Sequence, residues 1–572
     1  VVEGKAVGEL NLGNEFEGIF GIAEILIDGG YLEDGFQIES ISSDNLADFE
    51  QIFGFVGQSQ LIGYMIPVAT RFGFETFLPE ELGINFYDRT ASAKALEEFE
   101  TINWDEEFDR LYVFLESILE FGSIGEIMNY ADNPELLAEL TPAQGEELAN
   151  IFRTLGDLKT LTLLNVAIDY ATTLEEVQEM ISWMDPSEVE AYLGERLDFI
   201  FENENFFIGE EGEVYRIAQL IETIFSDEFG DVNLVSFFEG MNDPAALLEE
   251  QNEAWIGALI EDLINIQLII EGIPLGVDFA IYTTFTEDAE AELAEDLADA
   301  LENISWDEEI GNVSDIYKEV LKLGLASIMG EEPDYFAFLD DVIINNMDTV
   351  RTLVEKIFEE SQVVNATLEI ATPIIIDRFV EDQDLKDLLN DAMMSDPESE
   401  VIDFNFGQEV NNLLTLVESL YNFTTISELA TLSDMNTEAL FDLAANFGSM
   451  SQAHFTELTD AVESLQFVSK AGHSLLTYVK NLTDIEQLYV PTTVDLGKDL
   501  TSILGLVYTV GGYLADNIPV DGTYEDLDLA PLFADETFKS YLLDTPAENH
   551  SEILLINIAH LLQYYSEDED LG

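Results

Sequence analysis

Two near-copies, Glu100-Thr-Ile-Asn-Trp-Asp-Glu-Glu-Phe108 and Glu302-Asn-Ile-Ser-Trp-Asp-Glu-Glu-Ile310, lie 202 residues apart. Three further segments follow the same grammar with Gly in place of Asp: Leu10-Asn-Leu-Gly-Asn-Glu-Phe16, Phe404-Asn-Phe-Gly-Gln-Glu-Val410 and Val494-Asp-Leu-Gly-Lys-Asp-Leu500. The shared pattern reads apolar, any, apolar, Gly or Asp, any, acid, apolar. It starts at Leu10, Ile102, Ile304, Phe404 and Val494, and the wide gap after Ile102 calls for one more near 203. Phe206-Phe-Ile-Gly-Glu-Glu-Gly212 stands there and departs from the pattern only at its last position. The mean spacing is roughly 97 residues, and this regularity, more than the loose motif itself, marks an internal repeat.

The flanking residues give the motif its physical content. Apolar residues at helical spacing follow it: Ile19, Phe20, Ala23 and Leu26; Leu111, Leu115, Ile118 and Leu119; Leu413, Leu416, Val417 and Leu420. Such runs stop at Gly29, Gly122, Gly324 and Gly511, where a helix C′ residue can take a positive φ. The alternating apolar residues of the motif predict a short strand, its Gly or Asp a helix N-cap, and its acid a charge facing the positive helix end. A second long apolar helix is expected at Phe49–Ile66 before Pro67, Ala258–Ile273 before Pro274, Val350–Ala371 before Pro373, and Phe455–Val479. Ala280-Ile-Tyr-Thr-Thr-Phe285 and Leu488-Tyr-Val-Pro-Thr-Thr-Val494 look extended. The expected fold is therefore mostly α, a tandem array of helical units, each with a strand-to-helix corner as minor β. The units run 1–101, 102–205, 206–303, 304–403, 404–493 and an incomplete 494–572.

Composition limits what such an array does. Of 572 residues, 47% are hydrophobic, enough to bury substantial cores, yet 119 Asp and Glu against 19 Lys and Arg leave a net charge of −100. A chain this acidic repels itself and needs screening cations, which favours saline or calcium- and magnesium-rich surroundings. Nucleic acid is an unsuitable partner, because affinity for phosphates depends on Lys and Arg. There is no cysteine, so disulfides and thiolate metal sites are excluded. The longest charge-free stretches, Phe53–Thr70 and Leu500–Ala515, carry glycines and read as core helices rather than transmembrane segments. The sequence opens on Val1 without a signal-peptide core, which suits a mature protein or a piece of a longer one.

Candidate chemistry weighs little against structure. Trp104-Asp105-Glu106-Glu107 and Trp306-Asp307-Glu308-Glu309 combine an aromatic platform with carboxylates, as a glycoside hydrolase does. The same place carries Gly13, Gly407 and Gly497, which a cap tolerates and a catalytic acid does not. No catalytic or cofactor-binding residue is expected. His454, His473, His550 and His560 lack metal-ligand spacing. The acidic runs Glu287–Asp296 and Glu567–Asp570 lack the order of a calcium loop, so Ca2+ or Mg2+ would act as diffuse counterions. Asn-x-Ser/Thr sequons at Asn303, Asn312, Asn365, Asn422, Asn481 and Asn549 are compatible with a secreted glycoprotein.

The succession of strand, Trp or Gly corner, acid, Leu-rich helix ending in Gly, and long apolar helix ending in Pro resembles the tandem repeats of large, uncharacterised secreted or surface proteins of low-GC bacteria. That resemblance implies an extracellular or cell-surface location. The expected function is structural or adhesive and non-enzymatic, with the chain as its own head-to-tail partner in a filament or layer, or bound to other surface components. Val1, Val2, Leu10 and Leu12 would form the subunit interface as an added strand on a neighbour. The alternatives are a carboxylate-dependent polysaccharide hydrolase and an acidic intracellular scaffold of a salt-adapted organism.

Overall fold

The computed structural model describes residues 11–33, 37–133, 136–137, 140–203, 205–226, 253–285, 291–302, 304–324, 335–380, 382–394, 402–421, 424–425, 437–483, 490, 496–517, 530–536 and 538–539. The protein is mostly α-helical, and among the described residues there is no strand, only an isolated bridge between Met394 and Ile402. The chain divides into two compact units: Val1–Ala298 with Ser305–Ser314, and Asp299–Ile304 with Asp315–Gly572.

The first unit contains α1 (Leu12–Asp28), α2 (Leu46–Gln58), α3 (Gln60–Phe72), α4 (Thr90–Glu100), α5 (Trp104–Phe121), α6 (Pro142–Gly156), α7 (Leu163–Ala171), α8 (Pro186–Arg196), α9 (Glu213–Phe225), α10 (Glu253–Asn265), α11 (Gln267–Ile270) and α12 (Ile273–Thr284). Six of these pack in sequence order, each on the next: α1 on α2, α2 on α5, α5 on α6, α6 on α9 and α9 on α10. The core is correspondingly divided into small clusters rather than one centre. Phe99, Ile102 and Trp104 form one, Phe86, Leu96 and Val166 another, and Ile200, Phe206, Phe207 and Val214 a third.

After α13 (Trp306–Lys322), which runs through the division, the second unit contains α14 (Met347–Glu355), α15 (Gln362–Phe379), α16 (Gln383–Met393), α17 (Phe406–Leu420), α18 (Thr437–Gly448), α19 (Gln452–Ser464), α20 (Gln466–Lys470), α21 (Gly472–Thr483) and α22 (Leu496–Asn517). Here α14 packs on α17, α17 on α19, α19 on α22, and α22 on α18. The α18–α22 crossing is the tightest. A Cβ at Gly448 would stand 1.8 Å from the Gly512 nitrogen, and one at Gly511 would stand 1.9 Å from the Ala444 oxygen, so only glycine lets the two backbones meet.

Several expectations change. The corner is not a strand-to-helix turn: Leu12 is already the first residue of α1, Ile102 and Asn103 are a short link, and Phe206–Phe207 form a turn. The N-cap is Asn11, Asn103 and Asn405, one residue before the helix, while Gly13, Asp105 and Gly407 lie at the second helical position. At two of the three the Asn side chain supplies the cap, Asn11 Oδ1 accepting from Gly13 N and Asn405 Oδ1 from Gln408 N, whereas Asn103 makes no such bond. Glycine or aspartate at the second position is instead a packing choice. Asp105 faces Gly57 of α2, whereas Gly407 leaves room for Phe358, whose Cβ lies 3.0 Å from where its own Cβ would be.

Proline does not end the long helices. Pro67 and Pro373 lie inside α3 and α15, and Pro274 opens α12. Packing overrides the local penalty of an internal proline, about 3 kcal/mol. The segment Ala280–Phe285 belongs to the end of α12 and its cap, not to a strand. Gly29 and Gly122 do end helices but without the expected positive φ, at −75° and 175°; Gly324 takes φ 63°, and Gly511 is internal to α22.

The α18–α22 crossing generates a prediction. Gly448→Val is expected to lower stability by about 3 kcal/mol, because overpacking forces backbone shifts. Gly54→Ala, where nothing lies within 4 Å, is expected to gain about 0.5–1 kcal/mol from helix propensity alone. Urea unfolding followed by circular dichroism checks both.

Candidate functional site

What replaces the long uninterrupted helices is a recurring break. Helices α2, α6, α10 and α19, and the turn Lys356–Glu360 that extends α14, are each followed almost at once by another helical element. The joining residues are Ser59, Leu158, Ile266, Ser361 and Leu465. Their backbones nearly coincide, with φ/ψ of −73°/108°, −77°/118°, −85°/99°, −72°/113° and −64°/116°. The helices on either side bend by 77° at Ser59 and by 79° at Ile266. Among the described residues no single helix is long and apolar enough to cross a membrane.

Each break exposes the first N–H groups of a new helical turn inside the protein, where water cannot serve them. Ser59 and Ser361 cap one such group themselves, accepting from Ile62 N and Val364 N. Leu158, Ile266 and Leu465 have no side chain that could. The missing acceptor comes from a glutamate in the first turn of another helix, 51 to 56 residues before the break.

Glu15 Oε1 accepts from Gln60 N at 2.9 Å and its Oε2 from the Ser59 hydroxyl. Glu107 Oε1 accepts from Thr160 N at 2.8 Å, and Glu213 Oε2 from Leu268 N at 2.9 Å. Glu409 takes two: Gln466 N at 2.6 Å and Phe467 N at 3.1 Å. All four carboxylates are buried, Glu107 completely, and Glu309 and Asp499 are buried at the corresponding fourth position of α13 and α22. A carboxylate at a helix N-terminus gains from both the charge-assisted bond and the helix dipole.

The buried charge is balanced differently from place to place. Arg110 and Arg216, three residues after the acid, pair with Glu107 and Glu213 at 3.0 and 2.6 Å. At the same offset from Glu409, Asn412 instead donates to the Ser464 carbonyl that ends α19. Gln466 closes this last arrangement from the other side: its amide donates to Asn405 O and accepts from Asn405 N, the cap of α17. Break and corner thus hold each other.

This site was partly legible. Glu15, Glu107, Glu309, Glu409 and Asp499 all belong to the sequence motif, but the acid in the third region is Glu213, two residues beyond Glu211, which is exposed. The break residues escaped notice because neither Gly nor Pro stands at any of them. Their signal is a glutamine immediately after the break at Gln60, Gln267, Gln362 and Gln466.

Trp104 is a core side chain, 5.2 Å edge-on to Phe99, not an exposed platform. Asp105 and Glu106 are exposed beside it, and Trp306 is half-buried. Of the histidines, His454 is exposed, His473 borders a cleft of about 540 Å3 with Asp384, Asp387 and Asp391, and His550 and His560 lie outside the described residues. Among the sequons, Asn312 is buried, while Asn365 and Asn481 are exposed, the latter bonded to Asp384. Asn303, Asn422 and Asn549 lie outside the described residues, as do Val1, Val2, Leu10, Val494 and Glu567–Asp570. No three His, Asp or Glu among the described residues are grouped to hold a metal ion.

Two larger clefts remain. One of about 960 Å3 lies beside the Glu409 cap and is lined by Phe404, Phe406, Asn365, Glu369 and Asp403. The other, of about 700 Å3, is acidic, lined by Glu146, Glu222 and Asp262. Burial holds the Asp262 carboxyl above its ordinary range, and Glu261 and Glu222 reinforce that against the opposing hydrogen bond from Thr223.

These features define a helical protein in which six helices of the first unit pack in sequence order and four internal bends are capped by carboxylates from elsewhere in the chain. Compared with family models, curated proteins and solved structures, the chain matches none.

Two predictions follow from the geometry. Glu409→Ala should cost about 3 kcal/mol and Glu409→Gln roughly half, since the amide keeps one acceptor; exposed Glu106→Ala should stay within about 0.5 kcal/mol. Equal effects of Glu409→Ala and Glu106→Ala in urea titrations would dismiss the cap. For Asp262 the native state takes up a proton at a pH where the unfolded chain does not, so this group adds stability as pH falls through its raised value. Asp262→Asn is expected to raise Tm most at neutral pH, with the difference from wild type shrinking on acidification; a difference that grows would contradict it.

Proposed function

We propose that this chain is a non-enzymatic structural or adhesive protein of the cell surface or extracellular space, built as a tandem array of six units of roughly 97 residues that joins further copies of itself head to tail. The observation that carries the reading is the repeated break. Five bends share nearly one backbone conformation, and four are capped by a buried glutamate from an earlier helix, three of these from the same position of a preceding motif. A device used over and over along the chain suits a scaffold, because it serves the frame of every unit alike. An active site would draw on residues found once.

The surface chemistry supports the same reading. Each arginine whose side chain is described pairs with a carboxylate of the chain itself: Arg71, Arg89, Arg110, Arg153, Arg196, Arg216 and Arg351. The excess of 119 acids over 19 bases is left to solvent cations, and like-charged copies approach only when that charge is screened. Assembly in this reading depends on cations held diffusely, Ca2+ or Mg2+, without a dedicated site.

The test is light scattering with negative-stain microscopy of the purified chain at low ionic strength, in sodium chloride, and in millimolar calcium. Filaments or layers are expected with calcium and should disperse when it is chelated at low salt. Monodisperse monomers under all three conditions would overturn the proposal.

A further inference from the structure

Helix α1 carries a row of exposed apolar side chains: Leu12, Phe16, Ile19, Phe20 and Ile27 are each at least half exposed, Phe20 at 70%. An exposed stripe of this kind on a charged chain calls for a cover. The interior of the same unit shows what that cover looks like.

Helix α5 begins with the same motif, and its Glu107 stands where Glu15 stands in α1, the fourth residue of the helix. Counting from these acids, Phe16 corresponds to Phe108 and Phe20 to Tyr112. In α5 both rings pack on Phe53 of α2, with centroids 6.4 Å away in each case, and Asp105 fits over Gly57 one turn further along. Phe108 and Tyr112 are half-buried by this contact, whereas α1 has α2 on one side and leaves Phe16 and Phe20 bare.

We infer that the Phe16–Phe20 face of α1 is a docking surface for a second copy of this chain, which would lay against it a helix edge like that of α2, an aromatic side chain four residues before a glycine. The inference rests on the self-assembly proposed above and replaces an added strand with a helix face as the joint, since Leu12 is helical. The α2–α5 interface would then recur between copies, with an aromatic side chain at each of the same two helix positions, Phe16 and Phe20 in place of Phe108 and Tyr112. Heterologous joining of this kind does not close on itself and propagates.

The experiment compares wild type, Phe16→Ser with Phe20→Ser, and Phe72→Ser in the assembly assay. Phe72 is an equally exposed apolar residue on α3, so it controls for general stickiness. Circular dichroism confirms that helicity is unchanged, as expected for positions this exposed. The double variant should need about tenfold more protein to assemble, and Phe72→Ser should behave as wild type. Because the chain contains no cysteine, Phe20→Cys labelled with a polarity-sensitive dye adds an independent reading, with a blue shift on assembly.

If wild type assembles and the double variant assembles equally well, or if Phe72→Ser is just as damaging, the docking face is wrong and the scaffold reading survives. If wild type never assembles, that reading fails and the docking inference fails with it. Binding of wild type to phosphatidylcholine vesicles without assembly, lost in the double variant, would assign the face to lipid and overturn the second copy as its occupant.

Discussion

A helix that turns by nearly a right angle at one residue leaves several N–H groups without acceptors, and the rest of this architecture depends on how they are satisfied. Local side chains do part of the work at Ser59 and Ser361. Elsewhere a buried glutamate from an earlier helix reaches the new N-terminus, as Glu107 does for Thr160 and Glu409 for Gln466 and Phe467. An unmet buried donor costs about 1–3 kcal/mol, so the carboxylate and the bend stand or fall together. The carboxylate also dictates which helices are neighbours: its own helix must lie beside the break it serves, which is the side-by-side order seen for α1 and α2, and for α5 and α6.

That dependence explains why the basic residues are placed as they are. A buried carboxylate brings a desolvation cost, and Arg110 and Arg216 offset it from three residues along the same helix. Asp169 and Asp278 are buried elsewhere in the first unit, and they in turn hold Arg89 and Arg196 at 2.5 and 2.8 Å. Beside the latter pair, burial and Asp278 together push the Tyr192 hydroxyl well above its ordinary range. In a chain with so few cations, each arginine held by a buried acid is one fewer to offset the surface carboxylates.

Reading the sequence found one half of this arrangement. The acids of the motif are conspicuous because they follow an apolar alternation and precede an amphipathic helix, and five of the six expected positions hold a buried acid. The sixth was misplaced because Gly209-Glu-Glu-Gly212 offers two acids, both exposed in a turn, before Glu213 enters α9. The partner half stayed hidden. Neither Leu158 nor Ile266 is a residue type that marks a bend, and Ile266 follows an apolar stretch that reads as continuous helix. Pro67 and Pro373 misled in the opposite sense, since tertiary packing tolerates them within α3 and α15. The alternation read as a strand is an Asn-capped approach to a helix, where Ile102 and Trp104 turn to the same small core with Asn103 exposed between them. Three residues of period two are too few to distinguish the two.

The capping bonds also bear on how such a chain reaches its folded state. Their partners are separated by 45, 53, 55 and 57 residues, and among the described residues none of these caps waits on a segment made hundreds of residues later. A polypeptide of 572 residues with only distant contacts would fold slowly and expose apolar surface for long periods. Here each stretch can complete its own polar network while the next is still being synthesised, so folding proceeds from the N-terminus at the pace of translation. The kinetic difficulty of this protein then scales with the length of one loop closure rather than with the length of the chain.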